Sequence, residues 1–218
     1  MALEAAIFDL DGLLVNTEVV SWRIYRDMLL PHGHDMAREE YAELYSGRTE
    51  RHNLEAIIGR YGLPMTVEEG FAFVEGRERH YHALGVDLMP GARELLAWLS
   101  AHGVAIALAS ASTEERARGL LSRNGVEGFF DQFAYSVEVV HGKPAPDVFL
   151  LAAERCGADP ASCAAFEDSE AGVLAAHAAG MRVVCVPDMR PPAPEVLALA
   201  HAVTPTLADA IPVVEAML

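Results

Sequence analysis

Residues 5–12 read AAIFDLDG, an apolar run that ends in two aspartates and a glycine. Ala5–Leu10 is short and shows no helical period, the pattern of a strand buried on both faces of a parallel sheet. Asp9 and Asp11 are two residues apart, so on a strand they point to the same side. At the carboxyl end of a central parallel strand, that side faces the crevice where doubly wound folds bind ligands. Gly12 then allows a sharp backbone departure. Asp and Gly are also common turn residues, so DxDG alone favours a plain turn.

Outward from this strand, short apolar runs alternate with helix-period stretches, which predicts βαβ units and a parallel sheet. The further runs are Val104–Ala109, a weaker one at Gln132–Ser136, Cys163–Phe166 and Arg182–Val186. Between them the periodicity predicts helices over Ala92–His102, Thr113–Asn124, Asp147–Cys156 and Glu170–Ala179. Ser112 and Glu115 stand at capping-box spacing before the second of these. From Asn16 to Leu88 only helical periodicity appears, in segments near Glu18–Leu30, Arg38–Tyr45, Arg51–Tyr61 and Val67–Leu84. That is far more helix than a βα connection needs. The expected organisation is a Rossmann-like α/β core, residues 1–15 and 89–218, interrupted by an all-helical domain, residues 16–88.

The 218 residues are 52% hydrophobic and 22% charged, which excludes a disordered chain. Acidic residues outnumber basic ones 32 to 16, a formal charge of -16, so neither nucleic acid nor an anionic membrane is an expected partner. No apolar run approaches the ~18 residues of a membrane span, and no basic region precedes the first apolar stretch as in a signal peptide. Cys156, Cys163 and Cys185 are odd in number and lack CxxC spacing. We expect free thiols in a reducing compartment, the cytoplasm. There are 15 Arg but one Lys, Lys143, within HGKPAPD.

Three more short stretches carry chemistry. Ser110 ends the ALAS strand, where a hydroxyl and backbone N–H groups at a strand-to-helix turn can hold phosphate. Helix capping explains Ser110 and Ser112 equally well, and for Ser112 it is the favoured reading. Lys143 sits in a loop stiffened by Pro144 and Pro146, where a fixed ammonium can neutralise phosphate charge. Glu167 and Asp168 follow the CAAF strand, where acids can bind a hard divalent cation. Helix N-termini favour acids anyway. Singly each feature is ordinary. Together all four fall at or beyond the carboxyl ends of proposed parallel strands, which a doubly wound sheet brings together. Their complementary chemistry points to metal-assisted phosphoryl transfer through an aspartate.

In order, FDLDG, ALASAS, GKPAPD and FEDSEAG resemble the four signature motifs of the haloacid dehalogenase superfamily. The likeness is closest to its phosphatase and β-phosphoglucomutase-like branch. The resemblance implies a Rossmann-like core, a helical cap inserted after the first strand, and Mg²⁺ as cofactor. It implies Asp9 as nucleophile and Asp11 as general acid/base. Asp9, the Asp11 backbone carbonyl and Asp168 would hold Mg²⁺, with Glu167 supporting that site. Ser110, Ala111 and Lys143 would bind the phosphoryl group.

Within the superfamily, the dehalogenase pattern lacks the second aspartate that Asp11 supplies here. The phosphonatase branch needs a cap lysine, and this segment has none. The mutase pattern has His, Lys and Asn where Ser21, Thr113 and Glu114 stand, and a cap Arg in the region of Glu50. We therefore expect hydrolysis of a small phosphomonoester, a sugar phosphate first, with a phosphosugar mutase as the alternative and a non-catalytic binding module as a distant third. Arg48 and Thr49, after Gly47, and Glu18 are the cap candidates for substrate specificity, against the plainer reading of a helix-start loop. Trp22 reads as interior to the helical domain. The HxH pairs His32/His34 and His80/His82 read as surface residues. The expected partner is a small phosphorylated metabolite, and the chain is a monomer or dimer.

Overall fold

The computed structural model describes residues 2–218; Met1, counted above with the core, lies outside them. Six parallel strands form one sheet: β1 (Ala5–Phe8), β2 (Ala105–Ser110), β3 (Gln132–Tyr135), β4 (Cys163–Glu167), β5 (Arg182–Cys185) and β6 (Ala202–Val203). Their order is β3-β2-β1-β4-β5-β6. Ala5 pairs with Ala105 on one side and Cys163 on the other, and Phe8 with Leu108 and Phe166. The chain thus runs from β1 outward to β3, then crosses to β4 on the far side of β1. That reversal of direction places the carboxyl ends of β1, β2 and β4 side by side, the switch point where such sheets bind ligands.

Every residue of β1 and β4 is buried. Four of their nine residues are alanines, which lets the covering helices approach closely. On one face Ala5, Ile7, Ala107, Ala109 and Ala165 pack with Val148, Phe149 and Val173. Those last three belong to the helices Asp147–Cys156 and Glu170–Ala178. Phe8 and Phe166 stack at 4.4 Å, with Phe130 edge-on to Phe8. The helices Ala92–Ala101 and Glu114–Arg123 complete the larger elements of this unit.

Two expectations are corrected. The first strand ends at Phe8, not Leu10, because Gly12 (φ 80°) turns the chain and Asp11 enters an isolated bridge with Val15. Asp9 and Asp11 therefore do not share one side of a strand. The helix after β2 is capped by Thr113, whose hydroxyl accepts from Arg116 N–H, and not by a Ser112–Glu115 box. β6, only two residues long, has too little pattern to be read from sequence.

The chain divides into two compact units, Met1–Asn16 with Asp87–Leu218, and Thr17–Val86. The connecting strands of backbone are tied together inside the first unit: Asn16 N–H donates to Asp87 O and Met89 N–H to Leu14 O. The second unit is helical, with four α-helices at Thr17–Leu29, Arg38–Leu44, Glu50–Tyr61 and Val67–Leu84. Thr66 and Glu69 form a capping box at the last of these. Tyr25, Met28, Tyr41, Leu54 and Ile57 supply its interior.

Candidate active site

The sheet ladder carries one bond past β1, from Asp9 N–H to Phe166 O, and this sets the Asp9 carboxylate at the strand ends. It meets Lys143, whose Nζ lies 2.5 Å from Asp9 Oδ1, 2.5 Å from Glu167 Oε1 and 3.0 Å from Ala109 O. An ammonium has three N–H donors, and three acceptors receive them. Lys143 reaches in from a loop in which Ala145 N–H bonds Gly142 O and Asp147 accepts from His141 N–H. Its Nζ also lies 4.8 Å from the Phe149 ring centroid.

Glu167 is completely buried. Its Oε2 accepts from the Asp168 and Ser169 backbones and the Ser169 hydroxyl, while Oε1 faces Lys143. Gly172 makes room for it, since a Cβ there would lie 1.9 Å from the Glu167 carboxyl carbon. Asp168 differs: its Oδ1 is buried with no hydrogen-bond partner. One oxygen from each of Asp9, Glu167 and Asp168 lies within 4.8 Å of the others. Gly12 closes the cradle, because a Cβ there would fall 2.5 Å from Asp168 Oδ2.

Burial pushes the Asp9 carboxyl up to about 7, with the charges of Glu167 and Asp11 adding to it and Lys143 opposing. Burial and then the charges of Glu167, Asp9 and Asp188 raise Asp168 well above the ordinary range. Burial disfavours the Lys143 ammonium, but Asp9 and Glu167 outweigh it and hold the lysine above its usual value. One ammonium is too little charge for these acids. An all-oxygen cluster with an orphaned carboxylate oxygen fits a hard divalent cation.

Asp11 sits apart from the lysine. Its Oδ2 accepts from the Ser112 hydroxyl at 2.6 Å, and Arg116 Nη1 donates to Oδ1 at 2.7 Å and Oδ2 at 2.9 Å. Ser110 is buried and its Oγ accepts from Ser112 N–H, while Ala111 lies in the exposed turn between them. Asp9, Asp11, Ser110, Ala111, Lys143, Glu167 and Asp168 thus all lie in the α/β unit.

The helical unit uses its candidates locally. Thr49 caps the helix Glu50–Tyr61, accepting from His52 N–H. Glu18 accepts from the Tyr41 hydroxyl, and Trp22 donates to Met36 O. Arg48 is exposed. His34 packs on Tyr61 and His80 on Tyr81. Among the described residues the histidine pairs join no metal-holding group.

Sequence reasoning missed Arg116, Asp188 and the steric need for Gly172. Arg116 stands four residues after Ser112, a spacing that makes neighbours on a helix face and could have flagged it. Asp188 lies in the Pro-rich loop after β5, where no pattern marks it.

The family model described as haloacid dehalogenase-like hydrolase matches residues 6–186. The bifunctional riboflavin kinase/FMN phosphatase of Arabidopsis thaliana is 35% identical over 84% of this chain, which spans 48% of that longer protein. The phosphorylated carbohydrates phosphatase of Thermotoga maritima is 30% identical over 82% of each chain. The crystal structure of a HAD family hydrolase from Deinococcus radiodurans R1, with bound phosphate and sodium, superimposes with a TM-score of 0.83 at 27% identity, covering 100% of this chain and 98% of that one. With the four motifs gathered at one switch point and the family model spanning both units, the chain belongs to the haloacid dehalogenase-like hydrolases.

Proposed function

We propose that this protein is a Mg²⁺-dependent phosphatase that hydrolyses a small phosphomonoester, with sugar phosphates as the first class to test, through an aspartyl phosphate on Asp9. The observation that carries this reading is the Asp9–Lys143–Glu167 cluster beside the orphaned Asp168 oxygen. A buried lysine shared by two acids keeps one carboxylate in place as a nucleophile while offering positive charge to an incoming phosphoryl group.

In the first half-reaction an Asp9 oxygen forms a bond to phosphorus, and the ester P–O bond breaks. The departing alkoxide takes a proton from Asp11. In the second half water attacks the phosphorus and gives its proton to Asp11, and the electron pair of the breaking bond returns to Asp9. Acid–base help of this kind contributes typically ~10²–10⁴-fold. Ser110 and the turn at Ala111 face the phosphoryl oxygens. Asp9, Asp168 and the Asp11 carbonyl would hold Mg²⁺, which screens the repulsion between nucleophile and phosphate. Glu167, with both oxygens engaged, fixes Lys143 and the start of the following helix. In this reading the helical unit bears on substrate specificity, through Arg48 and Glu18. Three free thiols suit a reducing cytoplasm.

Purified protein with p-nitrophenyl phosphate should release nitrophenolate with Mg²⁺ and none in EDTA. Incubation with β-glucose 1-phosphate and a trace of the 1,6-bisphosphate should yield inorganic phosphate. Efficient formation of glucose 6-phosphate would replace the hydrolase reading with the mutase. No turnover of any phosphomonoester would make the chain a binding module.

A further inference from the structure

We propose that Arg116 is a positioning residue that holds Asp11 for the second half-reaction, in which water attacks the phosphorylated Asp9. This rests on the phosphatase reading above and deepens it. Asp11 lies past the end of β1, in the turn made by Gly12, and its side chain is 35% exposed, so the strand itself does not fix its carboxylate. Lys143 gives its three protons to Asp9, Glu167 and Ala109 rather than to Asp11. Arg116, on the helix Glu114–Arg123, and Ser112, in the turn before it, both hold it. Arg116 Nη1 bridges both Asp11 oxygens, and the same nitrogen reaches the Ser112 hydroxyl, which itself donates to Asp11. Ser112 N–H is tied in turn to Ser110 Oγ, so the anchor is continuous with the turn read as phosphate-binding. Thr113 caps this helix, which fixes the turn from which Arg116 projects.

A partly exposed ion pair contributes little to stability, so folding alone gives little reason for this arrangement. Catalysis gives a stronger one, because a misplacement of about 1 Å in a reacting group can cost 10²-fold. All three contacts donate to Asp11. They hold it as an acceptor, the role it plays when water attacks phospho-Asp9. In that step the water oxygen bonds to phosphorus, the P–O bond to Asp9 breaks with its electron pair returning to the Asp9 carboxylate, and the water proton passes to Asp11. The protonated Asp11 then supplies the next leaving group.

The test is rapid-quench kinetics with p-nitrophenyl phosphate and Mg²⁺ on the wild type, Arg116→Met and Arg116→Lys, with acid-quenched samples weighed intact. In Arg116→Met, kcat should fall ~10- to 100-fold, a share of the acid–base contribution, while kcat/KM stays near the wild-type value because nitrophenolate leaves without needing a proton from Asp11. Nitrophenolate should appear as a burst of about one per chain, and the acyl phosphate should accumulate. Arg116→Lys should recover part of kcat, since it keeps a charge without the planar fork. Ser112→Ala should shift kcat in the same direction by less, with its hydroxyl link removed. Unchanged kcat in Arg116→Met, or equal losses in kcat and kcat/KM without accumulated acyl phosphate, would overturn the proposal while leaving the phosphatase reading intact. A wild type that turns over no phosphomonoester would overturn both.

Discussion

The two units of this chain treat their polar side chains differently. In the α/β unit, buried charge is concentrated where four chain segments meet: Asp9, Lys143 and Glu167 are all nearly or wholly removed from water, and Asp168 keeps an oxygen with no partner. In the helical unit the polar residues do structural work. Thr49 and Thr66 cap helices, the Tyr41 hydroxyl meets Glu18, the Tyr81 hydroxyl meets Asp27, and Arg26 pairs with Asp35 at the surface. Burying like charges together is costly unless something compensates. One unit carries that cost and the other does not, which is why the proposal puts the chemistry in the α/β unit and recognition in the helices.

The largest test of that contrast is Asp9→Asn, which should lower turnover on the order of 10⁴-fold or more, as loss of a nucleophile does. Circular dichroism should show an unchanged fold. Next comes Lys143→Arg. A planar fork cannot take the place of a compact ammonium between three acceptors, so kcat should fall ~10²-fold or more, and Lys143→Ala at least as far. A near-normal rate in Lys143→Arg would mean the lysine is not the phosphate's counter-charge.

Metal and pH probe the same site without substrate. Asp9 titrates near 3.8 when unfolded and is pushed up to about 7 in the metal-free fold. Its contribution is therefore most favourable below the lower value and is lost as pH climbs toward the higher one. Metal-free Asp9→Asn should melt above the wild type at pH 8, with the gap narrowing at pH 5. Mg²⁺ at about 100 times its Kd should add ~2.7 kcal/mol of stability to the wild type and little to Asp168→Asn. Equal Mg²⁺ stabilisation of both proteins would remove Asp168 as a ligand. The smallest effect belongs to the helical unit: Thr49→Ala should cost about 1 kcal/mol of stability through its lost cap. A rise in KM for a sugar phosphate with no change in melting would instead place Thr49 in recognition, and would blur the contrast between the units.

The contrast also marks what the sequence could show. The β1–β5 strands and their helices were legible because buried strands and amphipathic helices obey short periods, and the Val67–Leu84 helix was readable to its ends from its period and the glycine that follows it. The motif acids were legible because each sits where a strand period stops. Asp11 was misplaced because a strand's end is set by its neighbours' ladders, which the alternation of side chains does not reveal. Ser112 and Thr113 offered adjacent hydroxyls, and only the turn's geometry gave one to the helix and the other to Asp11. Arg116 was signalled only by its four-residue spacing from Ser112, while Asp188 comes to Asp168 from the loop after β5, where nothing local announces it.

The most direct measurement is the site of covalent phosphate in a chain quenched by acid during turnover of a phosphomonoester with Mg²⁺. The account predicts one acyl phosphate, on Asp9, formed and lost fast enough to account for kcat and absent in Asp9→Asn. Full turnover with no phosphorylated Asp9, or with the phosphate on another residue, would contradict it.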